Sequence, residues 1–175
     1  MLQELESPIQ RYAPGKDVPL AGYAATMATY AGLLGVALVG VTRKARWQPG
    51  MADTALLGVA THKLSRIVTK DFVTAPLRAP FTERRAAEGA GEVHDEPRPG
   101  SIGSSIGYLL TCPYCVGPWL ATGLGTLLSL RPVPTRFVLR VLTAVTISDF
   151  LHLTYSRLNE SRRAVSAERR LAERR

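Results

Sequence analysis

Apolar and charged residues are segregated into blocks along this chain. Residues 18–42 and 99–130 contain no charged side chain, whereas charged residues are dense at 83–98 and again after Tyr155. A hydrocarbon core of about 30 Å takes roughly 20 apolar residues in a helix, so uncharged blocks of this length are typical of membrane spans. The pattern predicts an all-α, polytopic integral membrane protein.

The first uncharged block predicts a spanning helix at 18–42, preceded by an N-terminal tail at 1–17. The tail has no basic region and no small-residue cleavage site, so we expect no removed signal peptide. Small residues recur at four-residue steps at Ala24, Ala28 and Gly32, which would let another helix approach closely. That helix could belong to this chain or to a second copy in a homo-oligomer.

The next predicted helix, at 51–72, has a mixed character. One face is apolar, and ionisable groups recur at three- and four-residue steps on another: His62, Lys63, Arg66 and Lys70. Only residues 54–61 lack an ionisable group, and about 12 Å of helix is too short to cross a bilayer unaided. The helix either lies amphipathic or re-entrant at the interface, or inserts into the bundle with Arg66 shielded by acidic partners. The protein therefore has three spans plus this helix, or four spans.

The second half of the chain predicts a solvated loop and two more helices. Residues 82–100 combine charges with glycine and proline and show no core-forming pattern. Residues 101–131 would make one helix too long for a simple span, so we predict a break near 112–118, where two prolines remove backbone donors. A last helix is predicted at 134–156, which completes a helical membrane domain at 18–156, and a basic C-terminal tail follows at 157–175.

The net charge of +8 changes the picture through its placement. Basic residues flank the apolar blocks at Arg43, Lys44 and Arg46, and seven arginines follow Tyr155, which favours anionic lipid over nucleic acid as the partner. The arginine bias predicts a cytoplasmic C-terminus in a bacterial cytoplasmic membrane. The side of the N-terminus depends on whether helix 51–72 crosses.

The two cysteines of the chain, Cys112 and Cys115, form a CxxC pair at the predicted break. Such a pair can exchange disulfides, with one thiolate stabilised at a helix N-terminus. It could also hold zinc, which needs about four ligands, with help from the three histidines His62, His94 and His152. A third interpretation is that both are small buried apolar residues at a helix break. We expect no cofactor, with zinc as the alternative.

Charged groups at membrane depth form a second constellation. Such groups are costly and are usually paired or face water. Asp149 is predicted to neutralise Arg66 or His62 across two helices, and the alternative is that these groups and Asp71 lie solvated at the interface.

Two motifs together resemble a known family. Residues 63–71 (KLSRIVTKD) with Pro76, Arg78 and Phe81, followed by residues 109–119 (LLTCPYCVGPW), are similar to the bacterial membrane proteins grouped as domain of unknown function 1360, of which some members are sporulation proteins. The resemblance covers roughly residues 53–150 and implies no defined activity. It implies marked positions at Arg66, Asp71, Arg78, Cys112, Cys115, Gly117 and Trp119, whereas the loop 82–100 and the arginine-rich tail look particular to this chain.

Three functions follow from these patterns. We favour a non-enzymatic membrane scaffold or interaction protein, whose partner is a membrane protein or another copy of the chain. The competing class is a membrane thiol-disulfide or metal-binding protein that uses Cys112 and Cys115. A subunit of an oligomeric transporter is the third class, with Arg66 and Asp149 lining a polar path.

Overall fold

The computed structural model describes residues 19–45, 48–87, 91–99 and 101–172, so the tail predicted at 1–17 lies outside the described residues. The fold is mostly helical, as expected, with one small sheet that the sequence did not predict. The elements in chain order are α1 (Leu20–Lys44), α2 (Met51–Thr69), a 3₁₀ turn (Phe72–Thr74), α3 (Ala75–Arg78), β1 (Thr82–Ala87), β2 (Val93–Pro97), α4 (Ser101–Thr111), α5 (Pro113–Leu130) and α6 (Pro132–Ala172).

Helix α2 lies inside the helical bundle, packed against both α5 and α6. A buried apolar cluster joins Ala60 from α2, Leu128 from α5 and Leu139 from α6, with leucines of all three helices around them. Gly125 of α5 lies so close to α2 that an added Cβ would be 3.5 Å from Leu57. The apolar face of α2 is thus covered by protein. Of the two alternatives for this helix, this packing favours a helix inside the bundle over one at the interface.

Contacts between the helices define two ends of the bundle. Asp53 pairs with Arg136, and ten residues later in α2 Lys63 pairs with Asp149, so α2 and α6 run in the same direction. Tyr23 of α1 contacts Tyr108 of α4, and Tyr30 of α1 contacts Trp119 of α5. Helix α1 therefore runs alongside α4 and α5 in the same direction. One end therefore holds the C-terminus of α1 and the start of α2, and the other holds the start of α1, the β-hairpin and the α4–α5 junction.

The segment predicted as a solvated loop at 82–100 contains an antiparallel β-hairpin. Strands β1 and β2 pair in the register Thr82↔Pro97, with an irregularity between Arg84 and Ala86. Among the hairpin residues whose burial the structure describes, the buried side chains are Thr82, Val93 and Asp95, and Val93 is the apolar one. The predicted solvated loop thus contains two strands. No hydrophobic alternation marks these strands, because two of the three inward positions are polar.

The break predicted near 112–118 lies at Cys112, between α4 and α5. Pro113 occupies the first turn of α5, where its missing donor has no helical partner to lose, and Pro118 lies inside the helix. Helix α6 begins at Pro132 and continues to Ala172, so the residues predicted as a separate tail extend the same helix up to that point.

Within the described residues, two helices are long and apolar enough to cross a membrane: α1, and Pro132–Ala164 of α6. The core helix of a soluble protein can also have this length and composition. Helix α1 differs from a core helix, since none of its residues is buried. Its large side chains face outward, including Met27, Val36 and Leu38, which are 72%, 70% and 61% exposed.

The packing of α4 on the hairpin predicts that Gly107→Ala is destabilising. A Cβ at this position would lie 2.6 Å from the Phe81 carbonyl oxygen and 2.9 Å from Pro97 Cβ. We expect a loss of about 1–3 kcal/mol, as for other overpacked sites, measured by thermal unfolding in detergent. The matched control is Gly103→Ala on the same helix, where no atom lies within 4 Å. Equal melting temperatures for the two variants would contradict the packing described here.

Candidate functional site

Arg78 is fully buried, and each of its three side-chain nitrogens donates a hydrogen bond. Nε donates to Asp95 at 2.9 Å, and Nη2 donates to the Asp71 carbonyl oxygen at 3.0 Å. Nη1 donates to the Val68 carbonyl oxygen at 2.9 Å and to the Thr74 hydroxyl at 2.7 Å. One guanidinium therefore joins the end of α2, the turn after it and strand β2.

The local sequence explains why Arg78 points to this place. The last carbonyls of a helix have no intrahelical donor, and Arg78 supplies one to Val68 in the last turn of α2. Helix α3 has a proline in its first turn and lasts four residues, so it carries Arg78 back toward α2. A buried guanidinium is costly unless it is paired, and Asp95, 6% exposed, supplies the opposite charge.

Arg66 joins the hairpin to α2 at a second point. Its Nη2 lies 2.6 Å from Glu92 Oε2 and also contacts Oε1 of that carboxylate. The backbone reinforces the contact, because Phe72 N–H donates to the Gly91 carbonyl oxygen at 2.9 Å and Val93 N–H to the Lys70 carbonyl oxygen at 2.8 Å. The hairpin is thus fixed to the end of α2 by side chains and backbone together.

The predicted partners of Asp149 were wrong, although a pairing across two helices exists. Asp149 pairs with Lys63 at 2.8 Å, and Arg66 pairs with Glu92. His62 is exposed. Lys63, His62 and Arg66 are neighbours in sequence on one helix, and the sequence alone does not give the rotation of α2 that selects Lys63.

Sequence reasoning also missed an ion pair at the opposite end of the bundle. Arg136 of α6 donates to both oxygens of Asp53 in the first turn of α2, at 2.8 Å and 2.9 Å. The Gly50 N–H donates to the same carboxylate at 3.2 Å, so Asp53 also caps α2. The sequence did contain a sign of this ion pair. Asp53 is an acidic residue near the start of α2, and Arg136 is a basic residue near the start of α6; both helices are largely apolar there.

Cys112 and Cys115 form a disulfide pair at the start of α5, with Cα atoms 5.2 Å apart. The Cys115 N–H also donates to the Cys112 sulfur at 3.2 Å, so Cys112 caps the helix. Cys115 is exposed and Cys112 is half-buried. Among the described residues, no group of three His, Cys, Asp or Glu side chains could hold a metal ion, so the predicted zinc alternative gains no further ligand from this part of the chain.

The two cysteines border a groove of about 700 Å³ between α1 and the α4–α5 junction. Aromatic rings line it: Tyr30 packs on Trp119 with ring centroids 5.2 Å apart, and Tyr23 meets Tyr108 edge-on at 5.8 Å. The Tyr30 hydroxyl lies 3.0 Å from the Thr122 hydroxyl. We call this feature the aromatic groove.

The marked positions thus divide into two sites. Arg66, Asp71 and Arg78 lie together where α2 meets the hairpin, whereas Cys112, Cys115 and Trp119 border the aromatic groove. None of the four hydrogen-bond partners of Arg78 named above lines the groove. Gly117 is half-buried, and a Cβ there would meet no atom within 4 Å, so the structure gives no packing reason for a glycine.

Comparison with known proteins decides the family. The model of the family described as Protein of unknown function (DUF1360) matches residues 56–155. The chain belongs to this family. The match runs from α2 into α6 and includes the hairpin, and it confirms the resemblance drawn from the two motifs.

Two curated relatives come from Bacillus subtilis (strain 168). The UPF0713 protein YngL is 32% identical over 98 residues, which cover 54% of this chain and 73% of that protein. The sporulation protein YjcA is 35% identical over 69 residues, which cover 38% of this chain and 58% of that protein. No solved structure matches the chain.

The buried guanidinium predicts that Arg78→Lys is strongly destabilising. Lysine cannot reproduce the planar fork that bonds Asp95, Val68, Thr74 and Asp71. We expect a loss of about 3 kcal/mol, as when a buried pair is broken, measured by chemical unfolding in detergent.

The control for this variant is Arg85→Lys in the same hairpin. Arg85 pairs with Glu96 at 2.7 Å, and that carboxylate raises the pKa of the guanidinium above its usual value. Both partners are about half exposed, so we expect a change of at most about 1 kcal/mol. An Arg78 variant no less stable than the Arg85 variant would contradict the role given to Arg78.

Proposed function

We propose that the protein is a multi-pass protein of the bacterial cytoplasmic membrane in which α1, α2, α5 and α6 all cross the bilayer, and that it acts as a non-enzymatic scaffold. Helix α5 has 18 residues and no charge, which gives about 27 Å of helix. Helix α2 has 19 residues and about 28 Å. Both lengths are close to the hydrocarbon thickness of about 30 Å.

The ion pairs of α2 support its insertion. Charged groups within a membrane are tolerated when they are paired inside the bundle. Asp53 pairs with Arg136, Lys63 with Asp149 and Arg66 with Glu92. The Lys63 side chain is only 14% exposed, which favours a buried charge over one that reaches lipid headgroups.

The charge distribution supports an orientation. The end that carries the hairpin also carries the C-terminal part of α6, where Arg157, Arg162 and Arg163 are exposed. By the positive-inside rule this end is cytoplasmic. With four spans, the start of α1 lies on the same, cytoplasmic side.

The observation that carries the scaffold function is the continuity of α6. This helix leaves the bundle and continues to Ala172, and its residues from Leu151 to Leu158 are exposed. It presents apolar side chains such as Tyr155 and Leu158 next to the arginines, a combination suited to a membrane protein partner or anionic lipid. The name of the relative YjcA suggests sporulation as the process, and we extend that suggestion to this chain as part of the proposal.

A thiol-disulfide role is the second candidate function. It is favoured by one observation, namely that Cys112 caps the N-terminus of α5 while Cys115 beside it is exposed. Helix N-termini favour the thiolate form that exchange chemistry requires.

Single-cysteine labelling tests the four-span arrangement. In a Cys112→Ser, Cys115→Ser background, Gly50→Cys and Glu83→Cys place exposed thiols before α2 and in the hairpin. An impermeant maleimide added to intact cells is expected to label Gly50→Cys, and to label Glu83→Cys only after lysis. Equal protection of both positions would show that α2 does not cross.

In-membrane crosslinking tests the scaffold function. A photo-crosslinking residue at the exposed position Ser161 is expected to capture a specific membrane protein or a second copy of the chain in native cells. Substituting Arg157, Arg162 and Arg163 by Gln should reduce capture about tenfold through lost charge attraction, with membrane abundance unchanged. The matched control is Glu160→Gln on the same exposed stretch. Capture of lipid alone would overturn the scaffold proposal.

A further inference from the structure

The aromatic groove has the size and the lining of a small-molecule site. Its volume of about 700 Å³ falls within the range of ligand pockets, and its surface is predominantly apolar. One wall is α1, whose groove-lining residues Met27 and Ala31 are exposed at the outer surface of the bundle. In the multi-pass arrangement proposed above, the groove therefore opens toward lipid.

The groove also has a reactive wall. Cys112 and Cys115 both line it, next to Trp119. The Cys115 N–H donates to the Cys112 sulfur at 3.2 Å at the N-terminus of α5, and helix N-termini in general favour the thiolate form of cysteine. A ligand seated in the groove would therefore contact a dithiol or its disulfide directly.

We propose that the aromatic groove binds a lipid-soluble quinone, which oxidises Cys112 and Cys115. Two S–H bonds break and one S–S bond forms, so the cysteine pair loses two electrons and two protons. The two carbonyl oxygens of the quinone take them up, and the quinone leaves as the quinol. This inference rests on the membrane placement in the proposed function and on the second candidate role of the cysteines.

The lining favours a ring over a lipid acyl chain as the occupant. The ring pairs at its wall, Tyr30 with Trp119 tilted at 55° and Tyr23 with Tyr108 edge-on, form an aromatic surface that suits a flat ring. Phenol hydroxyls at the wall are donors of the kind that quinone carbonyl oxygens accept. An acyl chain has neither a ring nor a hydrogen-bond acceptor, and it cannot oxidise the cysteine pair.

The test uses the full chain, reduced and then freed of reductant, in anaerobic lipid nanodiscs. The probe is a benzoquinone whose ring is fully substituted and carries a decyl tail, so that a thiol cannot add to the ring. The readouts are quinol absorbance and maleimide labelling of both thiols. We expect one quinol formed per protein, with both thiols lost together. Cys112→Ser and Cys115→Ser should each abolish quinol formation, and quinol formation by these variants would overturn the proposal.

Substitutions in α1 distinguish oxidation by a quinone bound in the groove from oxidation that does not require the groove. Ala31→Phe fills the groove and should slow thiol oxidation about tenfold, because the ligand loses its site. Ala25→Phe, on the opposite face of the same helix and equally exposed, should oxidise at the unsubstituted rate. Met27→Trp, at a position 72% exposed, narrows the groove without disturbing buried packing and serves if Ala31→Phe misfolds.

Equal oxidation rates in the groove-filling variants and Ala25→Phe would overturn the quinone site. That result would leave the scaffold proposal intact, because the latter depends on labelling at Gly50 and crosslinking at Ser161. Conversely, protection of Gly50→Cys would remove the four-span arrangement whether or not the quinone reacts.

Discussion

The buried guanidinium of Arg78 is the constraint on which the ordered end of this protein depends. A buried positive charge is stable only when a carboxylate and several hydrogen-bond acceptors surround it. Three of the acceptors around Arg78 are oxygen atoms of Val68, at the end of α2, and of Asp71 and Thr74, in the turn after it. The carboxylate comes from Asp95, so β2 must lie against the end of α2. The hairpin supplies the carboxylate that neutralises Arg78. Its strand β2 also contacts α4, because Pro97 lies close to Gly107.

A second theme is the pairing of charges along α2. Its apolar face is covered by α5 and α6, while its charged groups meet partners at both ends and along its length. Each pair neutralises a charge of α2, and the Lys63 side chain, 14% exposed, is the least exposed of the three basic groups in these pairs. The same pairs fix the direction and register of α6 against α2.

The sequence predicted the helices well where lack of charge was the signal, and it predicted the break beside Cys112 because prolines mark it. It failed for the hairpin, whose inward positions Thr82 and Asp95 are polar and give no alternation. It also failed for ion-pair partners, since the choice between Lys63 and Arg66 depends on the rotation of α2 within the bundle. Asp95 could be identified only once β2 was known to face Arg78, because a carboxylate in a charged segment is ordinarily solvated.

Helix α6 contains no glycine or proline between Thr135 and Ala172, so it lacks the residues at which helices usually kink. Its exposed end and its bundle end therefore behave as one rod. A displacement of the exposed end would therefore act on Arg136 and Asp149, which pair with α2. Helix α6 thus connects an exposed surface to α2 through the Arg136–Asp53 and Asp149–Lys63 pairs.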